Sequence, residues 1–156
     1  MSMCQVASWT LRAATPADTT AVGEVMTAAG IAAWGDFLGS ERIEAATRGK
    51  DHPADLVTVD DDGVFAFVAW DSATGEILRL YSHPREWGSG AARALLERAL
   101  DELRAAGRTE AWLNTEERSE RARRFYERHG WRQDGSARVR DWHGVRLREP
   151  RYVRSL

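Results

Sequence analysis

The sequence predicts a single α+β domain around a mixed sheet, and three observations carry that prediction. First, "DLVTVDDDGVFAFVAW" sets two β-branched and aromatic runs on either side of Asp60-Asp61-Asp62-Gly63, a hairpin turn. Second, the turn "DSATGE" leads into a third such run, Glu76 to Ser82, so three antiparallel strands follow one another. Third, "ARALLERALDELRAAG" places Leu95, Leu96, Ala99, Leu100 and Leu103 at helical spacing, with Gly107 as the stop.

The other elements fall around these in order. "WTLRAA" (Trp9–Ala14) reads as a short strand, and Thr15-Pro16 as an N-cap with proline at the first helical position, opening a helix through about Ala29. "IAAWGDFLGSERIEAATRGK" is amphipathic and interrupted by glycine, which predicts one or two short helices. After Gly107, "EAWLNT" is a short strand and "SERARRFYERHG" a helix stopped by Gly130. "SARVRDW", a His143-Gly144 turn and "VRLREPRYVR" make a closing hairpin. The full order is β-α-α-β-β-β-α-β-α-β-β, with no repeat, linker or low-complexity tract.

Length and composition agree with one domain over residues 1–156, its first eight residues expected to be flexible. A hydrophobic content of 43% and a charged content of 29% suit a soluble globular protein. No apolar run approaches the roughly 20 residues that cross a bilayer, and "MSMCQVASWTLRAAT" shows no basic segment followed by an apolar one, so no secretory signal is visible. The single cysteine, Cys4, excludes an internal disulfide and a cysteine-based zinc site, and fits a reducing cytoplasm.

Charge is unevenly spread. From Glu117 to Leu156 there are 12 Arg against 6 acidic residues, so the remainder of a chain of net charge −2 is acidic. Such a basic third could meet nucleic acid or a phosphorylated ligand. It could equally be the solvated face of a helix and strand edges, because acids interleave throughout it. The acidic remainder would suit a cationic partner if its carboxylates line a pocket.

The segment "YSHPREWGSGAARALLERAL" poses the functional question: where a strand hands over to a helix, the chain places its smallest residues. A tight turn is one explanation. The other is anion binding, since the first amides of a helix lack intrahelical partners and carry the positive end of its dipole. Glycine at Gly88 and Gly90, with only small side chains at Ser89, Ala91 and Ala92, would let a phosphate reach those amides. No Gly-Lys-Ser/Thr follows, so this is not a nucleotide P-loop. Its place late in an antiparallel meander does not fit the dinucleotide fingerprint.

In this register "LRLYSHPREWGSGAARALL" resembles the acetyl-CoA motif of the GNAT superfamily of N-acetyltransferases, a strand and proline followed by Gln/Arg-x-x-Gly-x-Gly/Ala at a helix start. Gly90 and Ala92 stand at the small positions, and Trp87 stands where Gln or Arg is usual. "ERSERARRFYERHGW" resembles the family's second block: Ala122, Phe125, Tyr126, Gly130 and Trp131 match, while Ser119 replaces the common Asn. "VRLREPRYVR" looks like the family's last strand, so the resemblance runs from "LRAATPAD" onward. It implies a strongly twisted, mostly antiparallel mixed sheet with helices on both faces. Strand "EILRLYS" would splay from "EAWLNT", leaving a slot where the pantetheine arm pairs with backbone at Leu80, Tyr81 and Ser82. Trp87, Gly88, Ser89, Gly90, Ala91 and Ala92 would hold the pyrophosphate, with Ser119 and Arg123 also contacting the cofactor. The reaction implied is direct attack of a primary amine on the acetyl-CoA thioester, with an amide near Ser82 stabilising the oxyanion.

Roles follow from the same resemblance. Tyr126 would act as general acid toward the departing thiolate, the alternative being a core aromatic at a helix end. Glu76 or His83, or a water chain, would take the proton of the amine; both residues could as well be structural or solvated. Trp34, Asp36 and Phe37 would shape the acceptor pocket, or simply pack and cap a helix. No metal is expected: His52, His83, His129 and His143 are scattered, without ligand spacing. No Gly-x-Ser-x-Gly elbow appears. The leading expectation is therefore a cytoplasmic acetyl-CoA-dependent N-acetyltransferase, monomer or homodimer, with a small-molecule or peptide amine as acceptor and no membrane partner. Two other classes stand beside it. One is an acyl-CoA-binding module that kept the cradle and lost catalysis. The other is a nucleic-acid-binding protein using the Arg-rich third, against which Glu117, Glu120 and Glu127 in the same helix argue.

Overall fold

The computed structural model describes residues 8–156. Cys4, and the flexible start expected over the first eight residues except Ser8, lie outside the described residues. Strand β1 (Thr10–Ala13) is followed by a 3₁₀ turn at Pro16–Asp18. Asp18 fastens this corner: it accepts from the Thr15 amide at 2.8 Å and from both terminal nitrogens of Arg12 at 2.7 and 2.8 Å. The Arg12 hydrogen bond above all, with that of the Thr15 amide, lowers the Asp18 carboxyl to about 2.

Helix α1 then runs over Thr19–Leu38 and α2 over Ser40–Thr47, separated by Gly39 at φ 83°. Here the sequence expectation is corrected. The first helix does not stop near Ala29, because Gly30 and Gly35 sit inside it without breaking it. Gly30 serves close packing: a Cβ there would lie 3.0 Å from Cγ2 of Ile43 in α2, so the two helices would have to shift slightly to take one. Trp34, Asp36 and Phe37 consequently occupy the last turn and a half of one long helix.

Strands β2 (Leu56–Asp60), β3 (Gly63–Asp71) and β4 (Glu76–Ser82) form the expected meander. Helix α3 (Ala91–Ala105), strand β5 (Glu110–Asn114), helix α4 (Glu120–Arg128) and the hairpin β6 (Arg132–Trp142) and β7 (Val145–Ser155) complete the order. The seven strands form one sheet in the order β1-β2-β3-β4-β5-β7-β6, in which the β4–β5 pair is parallel and the others antiparallel. Pro150, which offers no amide hydrogen, is tolerated inside β7 beside a bulge in the β6 register.

Two side-chain clusters fill the sheet's faces. Leu95, Leu96, Leu100 and Leu103 of α3 pack with Phe65, Val68, Leu113 and Tyr152. Val22, Val25 and Met26 of α1 pack with Val57 and Phe67. A smaller cluster, Leu38, Ile43 and Leu147, ties the ends of α1 and α2 to the closing hairpin.

The site is positioned by the junction of β4 and β5. Their ladder is confined to Glu76 opposite Trp112, with the Trp112 amide donating to the Gly75 carbonyl at 3.1 Å. Leu78 is an extra residue in the register with β3, since Ala69 faces Arg79 and Trp70 faces Ile77. Such a bulge bends its strand. Beyond that point the two strands part, as the resemblance implied.

Candidate active site

On the open side of β4 the backbone is unpaired by β5. His83 donates its amide to the Phe65 carbonyl at 2.7 Å, and Tyr81 stands opposite Phe67. In an antiparallel ladder the bonded residues alternate, so Tyr81 and His83 face β3 while Leu80 and Ser82 turn their amides and carbonyls toward the slot. The Ser82 carbonyl accepts a hydrogen bond from the Trp87 indole at 2.9 Å. That leaves the Leu80 groups and the Ser82 amide for a bound chain.

The turn after β4 ends in a left-handed pair of glycines. Gly88 and Gly90 each have φ 86°, a conformation that L side chains rarely adopt, and a Cβ added at either would meet nothing within 4 Å. Glycine here thus serves backbone conformation and open approach together. The Ala91 amide is capped by Ser89 Oγ at 3.3 Å. The amides of Ala92 and Arg93, next along the first turn of α3, have no acceptor among the described residues.

This cradle and slot open into one cleft of about 840 Å³. Of the sequence-predicted residues, Trp34, Leu80, Tyr81, Ser82, Trp87, Gly88, Ser89, Gly90, Ala92, Ser119 and Tyr126 line it. Two of them from different expected roles meet directly: the Trp34 indole donates to Ser119 Oγ at 2.7 Å. That bond ties the end of α1 to the start of α4. Trp87 carries the Arg121 guanidinium on its ring at 4.0 Å from the centroid. The Tyr126 ring is buried against Phe125, Trp131 and Tyr152, and burial, with a smaller contribution from Tyr81, raises its phenol well above the ordinary value.

The remaining candidates are not brought into the cleft. Ala91 lies buried beneath the cradle. Arg123 turns toward the Glu117 carbonyl (2.8 Å) and the Tyr152 hydroxyl (3.4 Å). Asp36 is exposed, and Phe37 sits under the Arg118 guanidinium at 4.2 Å. Glu76 is half-buried at the closed end of the β4–β5 junction, and burial raises its carboxyl. His83 accepts the Arg85 amide on Nδ1 at 3.1 Å, and burial lowers its imidazole. A neutral imidazole accepting on Nδ1 carries its proton on Nε2, so neither nitrogen is free to act as a base.

Sequence reasoning missed the side chains that close the far end of the cleft: Arg79, Asn114, Glu116, Arg140 and Glu149. Glu116 and Glu149 are buried carboxylates. Glu116 accepts from Arg118 Nε at 2.8 Å, and Glu149 from Arg138 at 3.0 Å and from Arg140. Acidic residues inside strands and loops of an Arg-rich segment were the available signal. The acids before Glu117 do not make the cleft negative: Glu86 and Glu116 line it, against Arg79 and Arg93 from the same part of the chain. Several arginines of the last third are spent on acids, as in Arg148–Glu117, Arg151–Asp134 and Arg154–Glu97.

Comparison with known proteins matches the chain over residues 25–131 to the acetyltransferase (GNAT) family. A mycothiol acetyltransferase of Beutenbergia cavernae is 45% identical over 85 residues, which is 51% of this chain and 29% of that protein. The matched segment spans half or less of the length of the curated relatives. Two solved structures share the fold. A GCN5-related N-acetyltransferase of Rhodopseudomonas palustris has a TM-score of 0.77 at 17% identity, covering 94% of this chain and 95% of that one. The PaiA N-acetyltransferase of Thermoplasma acidophilum, in complex with coenzyme A, has a TM-score of 0.74 at 18% identity, covering 96% and 99%.

Proposed function

The chain belongs to the acetyltransferase (GNAT) family, and on that premise we propose that residues 1–156 form one domain that moves an acetyl group from acetyl-CoA to a primary amine. The observation that carries this reading is the continuity of the amide cradle at Gly88–Arg93 with the slot where β4 leaves β5. The cradle offers backbone donors and a helix N-terminus to a pyrophosphate. The slot offers alternate backbone groups of Leu80 and Ser82 to a pantetheine arm, in the manner of an added strand.

Acetyl-CoA supplies an activated acyl group. The amine nitrogen attacks the thioester carbon, the C–S bond breaks, and the thiolate departs with no acyl-enzyme formed. The Ser82 amide is oriented to stabilise the charge that develops on the carbonyl oxygen. Tyr126 lines the same cleft as a phenol whose pKa is raised above 10. An ordinary thiol ionises near about 8.5. Tyr126 therefore donates a hydrogen bond to the leaving thiolate without surrendering its proton fully. Glu76 and His83 stand outside the cleft, and the carboxylates that line it, Glu86, Glu116, Glu120 and Glu149, all pair with arginines, so no lining carboxylate is free and the amine's proton leaves through water.

The test is a panel of primary amines with acetyl-CoA, reading thiol release together with N-acetylated product by mass. One thiol per acetylated amine is expected. Binding of acetyl-CoA with no product on any amine would contradict transfer and favour a module that only holds the cofactor. The Trp87 indole, already committed to the Ser82 carbonyl, is the feature that favours that second reading.

A further inference from the structure

The cofactor cradle occupies the α3 face of the slot, so an acceptor must reach it from the α1 face. On that face the β4 side chains are Arg79 and Tyr81, which point away from Leu80 and Ser82. Arg79 is half-buried, lines the cleft, and has no ion-pair or hydrogen-bond partner among the described residues. Close by, Arg138 and Arg140 share the single buried carboxylate of Glu149. Arg79, Arg140 and Glu149 all stand near enough to the Tyr81 hydroxyl to influence its ionisation, which burial pushes up to about 12. The acceptor end thus holds the unpartnered Arg79 beside the Arg140–Glu149 ion pair, with a neutral phenol among them. The Arg79 guanidinium is therefore free to receive an anion that enters the cleft.

Resting on the acetyltransferase reading, we propose that the acceptor is a primary amine that also carries a carboxylate, as a free amino acid does, with Arg79 receiving the carboxylate. The planar fork of a guanidinium matches a carboxylate with two parallel hydrogen bonds, and the Tyr81 hydroxyl is placed to add a third. With the carboxylate held on the α1 face, the amine is directed at the slot. This reverses the expectation of a cationic acceptor that the acidic part of the chain suggested.

The experiment compares three matched series: amino acids, the same amines lacking the carboxylate, and aminoalkyl phosphonates. Thermal stabilisation of the protein by the N-acetylated form of each is measured with and without CoA, and kcat/KM of each free amine is measured with acetyl-CoA. The carboxylate series should exceed the carboxylate-free series by at least about tenfold in kcat/KM, the scale of one well-made polar contact, and should alone stabilise the CoA complex. In R79Q that ratio should collapse toward one, with R79K restoring part of it. Equal or better use of the carboxylate-free amines overturns the inference. So does a preference for the phosphonates, a parallel loss of every series in R79Q, or no stabilisation by any carboxylate compound. Transfer confined to carboxylate-free amines would sink this inference alone, whereas failure to bind acetyl-CoA would sink the transfer reading beneath it.

Discussion

The part of the cleft proposed to take the donor is built from backbone within one short segment, Leu80 to Arg93, and the part proposed to take the acceptor from side chains on α1, β4, the β5–α4 connection and the closing hairpin, drawn from most of the chain. The donor end needs small residues and a left-handed turn, and both leave a local mark in the sequence. The acceptor end needs only that Arg79, Arg140 and Glu149 be folded toward one another, which leaves none. A site made of backbone can be read along the chain, while a site made of side chains has to be assembled first.

The largest effect is expected for Gly90→Arg. The substitution forces a side chain into φ 86° and fills the open cradle. Acetyl-CoA affinity, measured by calorimetry, should fall by at least about a hundredfold, while the melting temperature, set mainly by the core, identifies any variant that fails to fold. Next in size is Tyr126→Phe, at the junction of the two ends. Its kcat should drop by roughly a hundredfold, the low end for a proton-handling group, with the acetyl-CoA affinity little changed.

Asp18 belongs to neither end and sets the background. Its folded-state carboxyl, near 2, lies below the ordinary value of 3.8. Its stabilisation is therefore present above about pH 4 and is lost as pH falls toward 2. Asp18→Asn should cost about 2 kcal/mol at neutral pH, and the gap from wild type should close in acid, as denaturant titrations across pH would show. The smallest effect is expected for Trp34→Phe, which removes the indole bond to Ser119. A loss of about 1 kcal/mol should appear as a several-fold rise in acceptor KM, with donor affinity held.

Legibility followed the same division within the fold. The meander, the Leu-rich α3 and both glycine stops could be read, because alternation, helical spacing and positive φ are local. The length of α1 could not, because Gly30 reads as a break until Ile43 of α2 is seen against it. The insertion of β7 between β5 and β6 could not either, since strand order depends on pairing across distant segments. Among the residues that line the cleft, the glycines of the turn before α3 and Tyr126 could be picked out from their motifs. His83 and Arg123 carry suitable chemistry in sequence, yet folding commits one to the Arg85 amide and the other to the Glu117 carbonyl. Arg79 leaves no mark in the sequence, because an arginine in a strand says nothing until its lack of a partner is visible.

If backbone amides between Leu80 and Arg93 hold the donor, the amide resonances of the labelled protein will register it through a titration with CoA. The amides of Leu80, Ser82, Gly88, Gly90, Ala92 and Arg93 should shift together and saturate at one affinity. Shifts clustered elsewhere, or a cradle that stays silent while CoA binds, would mean that the donor is held by other groups.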